Sequence, residues 1–301
     1  MSFRRAGRAS ARGEGVPVGG VVRPGGQDGA VIVGRVRAAM AGFDTRWPAP
    51  QGRAAGGWIG VEIFVVLGLS LGRSAVYSVL SIIERSTRGT PLSSQTSTLN
   101  ASTTPDRPWL DLGYQLVGIG FAMVPVLLAL YLLNQTNPPA GRLVGLVPLR
   151  PRIDLLGGTL LAAGIGIPGL GLYLLARTAG FNTQVQASGL GDSWWTVPVL
   201  VLAAAQNAAV EEVVMVGFLV VRFRQLGWGW PAIFAFSAVV RGSYHLYQGY
   251  GGFVGNLIMG VIFLLVFLRW RRVTPLVVAH TLLDVGAFVG YALLAPHVSW
   301  L

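Results

Sequence analysis

The stretch Asn207-Ala-Ala-Val-Glu-Glu-Val-Val-Met-Val-Gly217 sets two adjacent carboxylates, Glu211 and Glu212, in a run that is otherwise almost wholly apolar. With Trp194 to Gln206 before it and Phe218 to Val221 after it, the run is long enough to cross a bilayer. An ionisable side chain at that depth costs at least about 2.5 kcal/mol, which makes it a functional candidate by default. The pair therefore directs the reading twice: the chain is a membrane protein, and its chemistry is to be sought inside the membrane.

Working outward, 52% of the 301 residues are hydrophobic and only 12% are charged, about half the charged share of an average soluble domain, roughly 25%. Several apolar runs of spanning length place the chain among polytopic membrane proteins. All the basic residues are arginines, and the net charge of +11 follows from them. In such a chain a basic excess signals topology and attraction to anionic lipid rather than nucleic-acid binding. The lack of cysteine excludes disulfides, thiolate metal sites and cysteine nucleophiles. Any metal would be held by His and carboxylate.

Residues 1 to about 56 are rich in Arg, Gly, Ala and Pro without a continuous apolar face, and read as a disordered basic cytoplasmic tail. Residues 57–301 read as an all-α polytopic integral membrane domain with seven transmembrane helices. The expected spans run from about Trp58 to Ile83, Trp109 to Leu133, Asp154 to Ala176, Trp194 to Val221, Trp230 to Gln248, Phe253 to Trp270 and Thr274 to Leu294. Arg73 interrupts the first and reads as a sign that the span's boundary is misplaced, or as a residue reaching along its stem to the interface, rather than as part of a site. With the tail inside, Arg142, Arg150, Arg152, Arg222, Arg224, Arg269, Arg271 and Arg272 are cytoplasmic. Only Arg85, Arg88, Arg107 and Arg177 lie outside. The arginine bias thus predicts a multi-pass cell-membrane protein with its N-terminus cytoplasmic and its C-terminus outside.

The polar residues of the spans gather towards the C-terminal end, in a core of about residues 194–295. Three spans supply Glu211 and Glu212, Arg241 and His245, and His280 and Asp284. Residues four apart share a helix face, so His280 and Asp284 project together, as do Arg241 and His245. Facing lipid, such a set would be very costly; the economical arrangement is convergence on one buried, partly hydrated site. Counted from their span starts, His245 lies ~22 Å and His280 ~9 Å along the helices, so convergence needs offset or tilted spans. The set suits hydrolysis, since a carboxylate can take a proton from water. Two histidines with carboxylates could instead hold a divalent ion such as zinc that activates it. Ser243, two residues from His245, points to another face.

The order Glu211-Glu212-x-x-x, then x-x-x-His245, then His280-x-x-x-Asp284 resembles the CPBP family of CAAX-prenyl-protease and bacteriocin-processing intramembrane proteases, also called Abi proteins. The family pattern is Glu-Glu-x-x-x-Arg, Phe-x-x-x-His and His-x-x-x-Asn/Asp. The resemblance covers about Asn207 to Ala287 and implies an endopeptidase acting on a membrane-associated peptide or protein. It implies Glu211 as catalytic base, Glu212 as a supporting carboxylate and His245 as the residue that orients the water. His280 and Asp284 would stabilise the oxyanion or bind a metal, whose ligands would be drawn from His245, His280, Asp284 and Glu211. Two positions depart from the pattern: Val216 stands where the family has Arg, and Arg241 where it has Phe. Arg241 is expected to supply the missing guanidinium from the neighbouring helix and to pair with Glu212. The alternatives are a drifted, non-catalytic member acting as an immunity, scaffold or regulatory protein, and a transporter with a proton relay.

Overall fold

The computed structural model describes residues 53–135, 138–294 and 297. The expected tail therefore lies outside the described residues, except for its last four. The first described helix, α1 (Arg53–Gly68), is followed after two residues by α2 (Leu71–Ser86), and the two axes are bent by 54°. Ser70 sits at the break and donates its hydroxyl to Val66 O at 2.6 Å. A side chain competing for the helical carbonyls at a bend is a recurrent cause of such kinks. The single first span of the sequence reading is thus a broken one, and Arg73 follows the break by three residues.

Helices α3 (Pro108–Ala122) and α4 (Val124–Leu133) follow as one continuous apolar passage, Pro108–Leu133. Proline occupies the first turn of each, where its missing N–H costs nothing. After a π-helical turn at Arg152–Gly157 comes α5 (Gly158–Thr178), which carries Pro168 in its interior. The chain then enters the carboxylate-bearing passage: α6 (Thr196–Glu211), a π-helical stretch over Glu212–Phe218, and α7 (Leu219–Gln225). Three further long helices follow: α8 (Trp230–Ser243), α9 (Tyr250–Trp270) and α10 (Thr274–Leu294). Among the described residues two three-residue strands, β1 (Thr96–Thr98) and β2 (Gln184–Gln186), pair in parallel with Thr96 opposite Gln184.

Among the described residues five helical passages are long and apolar enough to cross a membrane, or six if the bent α1–α2 pair counts as one. The sequence reading expected seven. The difference lies at α8, whose 14 residues span ~21 Å at 1.5 Å per residue, short of the ~30 Å hydrocarbon core. The expected fifth span ran to Gln248, but the α-helix stops at Ser243 and a single 3₁₀ turn, Leu246–Gln248, follows. Gly249 then turns the chain with φ 114°, and a Cβ there would lie 2.5 Å from Phe181 O. Only glycine fits that approach and that backbone.

Burial ranks the passages. In the apolar window of Thr196–Gln225, 67% of residues are buried by protein, against 6–33% for the other four. The Glu pair therefore rides on the central helix, and the outer helices keep most of their apolar surface for lipid. α10 packs antiparallel along α6, with Phe288 against Leu200 and Ala204. α5 runs parallel to α10, and α9 antiparallel to α5. Close approaches mark these contacts: a Cβ on Gly158 would meet Pro275 O and Val278 at 2.8 Å, and one on Gly157 would meet Trp270 at 3.1 Å. Small residues let transmembrane backbones approach in this way.

Two ion pairs tie one end of the bundle. Arg272 donates to Asp154 through Nε and Nη2, both at 2.7 Å, and to Pro148 O at 2.8 Å. Arg222 pairs with Glu62 at 2.7 Å and donates to Leu132 O at 2.8 Å, fastening α7 to α1 and α4. At the opposite end, Trp109 and Trp194 stand 6.2 Å apart, both largely exposed as interfacial anchors would be. The neighbouring Trp195 is instead buried, so the two tryptophans do not act alike.

Candidate active site

Glu211 is the last residue of α6 and Glu212 the first of the π-helical stretch. π-Helical turns are rare and concentrate at functional sites. This one is built from Glu-Val-Val-Met-Val-Gly-Phe, every residue of which is buried. Its walls are apolar, so the two carboxylates find all their polar partners within the cluster described next.

Arg241, from α8, supplies the charge balance. Its side chain is wholly buried. It donates from Nη2 to both oxygens of Glu212, at 2.8 and 2.9 Å, and from Nη1 to Glu211 Oε2 at 3.3 Å. The guanidinium thus bridges the two adjacent carboxylates, and its face lies over Phe263 of α9 at 5.4 Å. Val216, where the motif has arginine, is fully buried. A Cβ on Gly260 would approach Arg241 Cδ at 3.0 Å, so glycine on α9 makes room for the arginine.

His280 of α10 is oriented by the second carboxylate: its Nδ1 lies 2.7 Å from Glu212 Oε1. Its Nε2 faces Glu211 Oε2 at 3.9 Å and Asp284 Oδ1 at 3.7 Å. A carboxylate on one ring nitrogen fixes which nitrogen faces the reaction space. Arg241 is eleven residues into α8 and His280 six into α10, yet both reach Glu212. Their offset of five residues is ~7.5 Å along the helices, a difference that the long arginine side chain can take up.

His245 lies just past the end of α8, in the bend before the 3₁₀ turn. Its Nε2 stands 3.8 Å from Glu211 Oε1 and is buried without a hydrogen-bond partner among the described residues. Its Nδ1 is 3.4 Å from Gln248 Nε2, which also donates to Tyr247 Oη at 3.0 Å. Ser243 donates back to Val239 O at 2.7 Å and takes no part.

Sequence reasoning missed two members. Tyr244, buried beside His245, donates its hydroxyl to Glu211 Oε2 at 2.7 Å. The sole signal for it was adjacency to the histidine. Arg73, assigned from the sequence to the interface, instead lines the same cavity as Glu211, His245, His280 and Asp284. That cavity has a volume of about 720 Å³ and opens between α2, α6, the 3₁₀ turn and α10. Asn256, on α9, only donates to Gly252 O one turn back.

A bound metal needs ligand atoms that lie close to one another. Among the described residues, the group whose ligand atoms all lie within 4.8 Å of one another is Glu211, Glu212 and His280. His245 and Asp284, named from the sequence as ligands, fall outside it. The group fits zinc poorly. Both oxygens of Glu212 are taken by Arg241, one of them also by His280, and the same guanidinium stands 3.3 Å from Glu211. A dication there would face a fixed cation instead of the open, tetrahedral His/carboxylate shell that zinc adopts.

Residues 193–286 match the family model described as type II CAAX prenyl endopeptidase Rce1-like. The match takes in Glu211, Glu212, Arg241, His245, His280 and Asp284, so an independent comparison supports the CAAX-protease family that the motifs suggested. No curated protein and no solved structure matches the chain.

Proposed function

We propose that this Rce1-like membrane domain is an active intramembrane endopeptidase that hydrolyses a peptide bond in a membrane-associated protein or peptide, of the CAAX type. The observation that carries the reading is the pair Glu211 Oε1 and His245 Nε2, which stand 3.8 Å apart in two residues that line the cavity. That separation is too long for a direct hydrogen bond, and in this reading one water takes its place between the two groups.

In this mechanism Glu211 takes a proton from the water as its oxygen attacks the scissile carbonyl carbon, and His245 orients the water. The carbonyl π electrons move onto oxygen, and His280, its ring set by Glu212 and Asp284, faces the developing charge. When the tetrahedral intermediate collapses, the C–N bond breaks and the proton held by Glu211 passes to the leaving amine. Tyr244 and Arg241 are positioning residues. Tyr244 holds Glu211 Oε2 so that Oε1 meets the water, and Arg241 neutralises Glu212. Because the donor set suits zinc poorly, no step is assigned to a metal.

The arginine-rich end of the bundle, with Arg272 on Asp154 and Arg222 on Glu62, is placed in the cytoplasm. The chain then crosses seven times, α8 and the turn after it serving as one short, broken crossing. Support comes from Tyr250 N–H, which donates to Phe181 O at 2.9 Å, beyond the end of α5 remote from Asp154.

The test is purified protein in nanodiscs with a farnesylated CAAX peptide, comparing the wild type with Glu211→Ala and His245→Ala. Loss of cleavage in both variants, with the fold intact, is expected. Cleavage retained in both would overturn the assignment to Glu211 and His245, and a wild type that cleaves nothing would favour a non-catalytic membrane role.

A further inference from the structure

The reaction cavity continues past Glu211 to the bend between α1 and α2, where Ser70, Arg73, Ser74 and Tyr77 line it. Arg73 is the sole arginine of that lining. Among the described residues no carboxylate pairs with it, and its guanidinium rests 5.5 Å over the ring of Tyr77. It lies twenty residues after Arg53 and thirteen before Ser86 in the bent pair. Those spacings correspond to roughly 30 and 20 Å of helix, more than an arginine stem can reach to either end. Arg73 is exposed on the wall of this cavity, so its guanidinium is open to an anion that enters beside Glu211.

Planar guanidinium matches a carboxylate or a phosphate through two parallel hydrogen bonds. A lipid phosphate belongs at the interface, whereas Arg73 sits at mid-span, on the wall of the chamber that holds Glu211. Resting on the endopeptidase reading above, we propose that Arg73 binds the C-terminal carboxylate of the peptide substrate. It thereby sets the distance from the chain end to the bond presented to Glu211. The enzyme would then accept substrates by their free C-terminus, and the break at Leu69–Ser70 would serve to bring the arginine to the cavity.

The experiment uses the full chain in phosphatidylcholine nanodiscs, with and without phosphatidylglycerol. The probe is a fluorescent farnesylated peptide ending in Cys and three further residues, made as the free acid and as the C-terminal amide. The wild type is expected to favour the acid by about tenfold or more in kcat/KM, the size of one charge-assisted contact. Arg73→Gln should remove the preference by slowing only the acid, and Arg73→Lys should restore part of it. Equal rates for acid and amide in the wild type, or an equal loss on both in Arg73→Gln, would overturn the proposal. So would a loss that follows phosphatidylglycerol instead of the peptide terminus, which would make a headgroup the ligand. Binding of both peptides to Glu211→Gln, with and without Arg73→Gln, separates the two claims. An Arg73-dependent acid preference in binding without any wild-type cleavage would sink the protease reading alone. Absence of that preference would sink this one.

Discussion

Replacing Arg241 by Met removes a wholly buried guanidinium while keeping most of its apolar stem. Three hydrogen bonds go with it: two to Glu212, at 2.8 and 2.9 Å, and one to Glu211, at 3.3 Å. Two adjacent carboxylates are then left in an apolar wall with only His280, His245 and Tyr244 beside them. Breaking a buried pair by deleting one partner typically costs about 3–5 kcal/mol. For a domain of this size that corresponds to a melting temperature lower by roughly 6–20 °C. Thermal unfolding in nanodiscs, followed by intrinsic tryptophan fluorescence, measures the shift, and peptide cleavage below the melting point measures the catalytic loss. Arg241→Met with Glu212→Gln should recover part of the stability, because the second change removes the stranded charge. Arg241→Phe with Val216→Arg, which restores the family arrangement, should recover activity relative to Arg241→Phe alone. An Arg241→Met variant within about 0.5 kcal/mol of the wild type, the range of an ordinary surface substitution, would refute the bridging role.

Tyr244→Phe should lower kcat by about ten- to a hundredfold with little change in KM, since a hydrogen bond to a charged group is worth about 1.5–3 kcal/mol and Tyr244 touches Glu211 rather than substrate; a pure KM effect would place it on the substrate instead. Asp154→Asn, which leaves Arg272 with a neutral partner at the far end of the bundle, should lower the melting temperature while sparing kcat in the folded fraction. Prolonged dialysis against a strong chelator should leave cleavage unchanged, and recovery by added zinc after a loss would contradict the poor metal fit. Because the chain has no cysteine, single cysteines at Arg142 and Thr104 in membrane vesicles should label from opposite sides, with Arg142 cytoplasmic.

Much of the helical layout could be read from apolar run length bounded by proline, asparagine or arginine. Pro108–Leu133, Arg152–Thr178 and Thr274–Leu294 each begin and end within a few residues of the reading from sequence. The reading failed where helix type changes inside an apolar run. Nothing in Val213 to Phe218 announces a π-helical stretch, and nothing before His245 announces that α8 stops at Ser243. Both outcomes are set by the packing of neighbouring helices. The clustering of Glu212, Arg241 and His280 was foreseeable because buried charges need partners, and three charged positions on three spans leave few ways to pair. Tyr244 was not, because a tyrosine in a membrane helix is ordinary and only the three-dimensional path turns its hydroxyl to Glu211. Arg73 was misjudged for a related reason. A lone arginine in an apolar run reads as an interface residue until the bend at Ser70 carries it to the cavity wall. The pair of short strands at Thr96 and Gln184 joins segments 88 residues apart, a register that no local pattern encodes.

The central claim is that a water held between Glu211 and His245 attacks the peptide bond. Cleavage of a CAAX-type peptide in water enriched in ¹⁸O, analysed by mass spectrometry, tests it most directly. The wild type should place one ¹⁸O in the new C-terminal carboxylate of the product, and Glu211→Gln, folded and still binding peptide, should give no product above background. Product formed at an undiminished rate by Glu211→Gln would contradict the account.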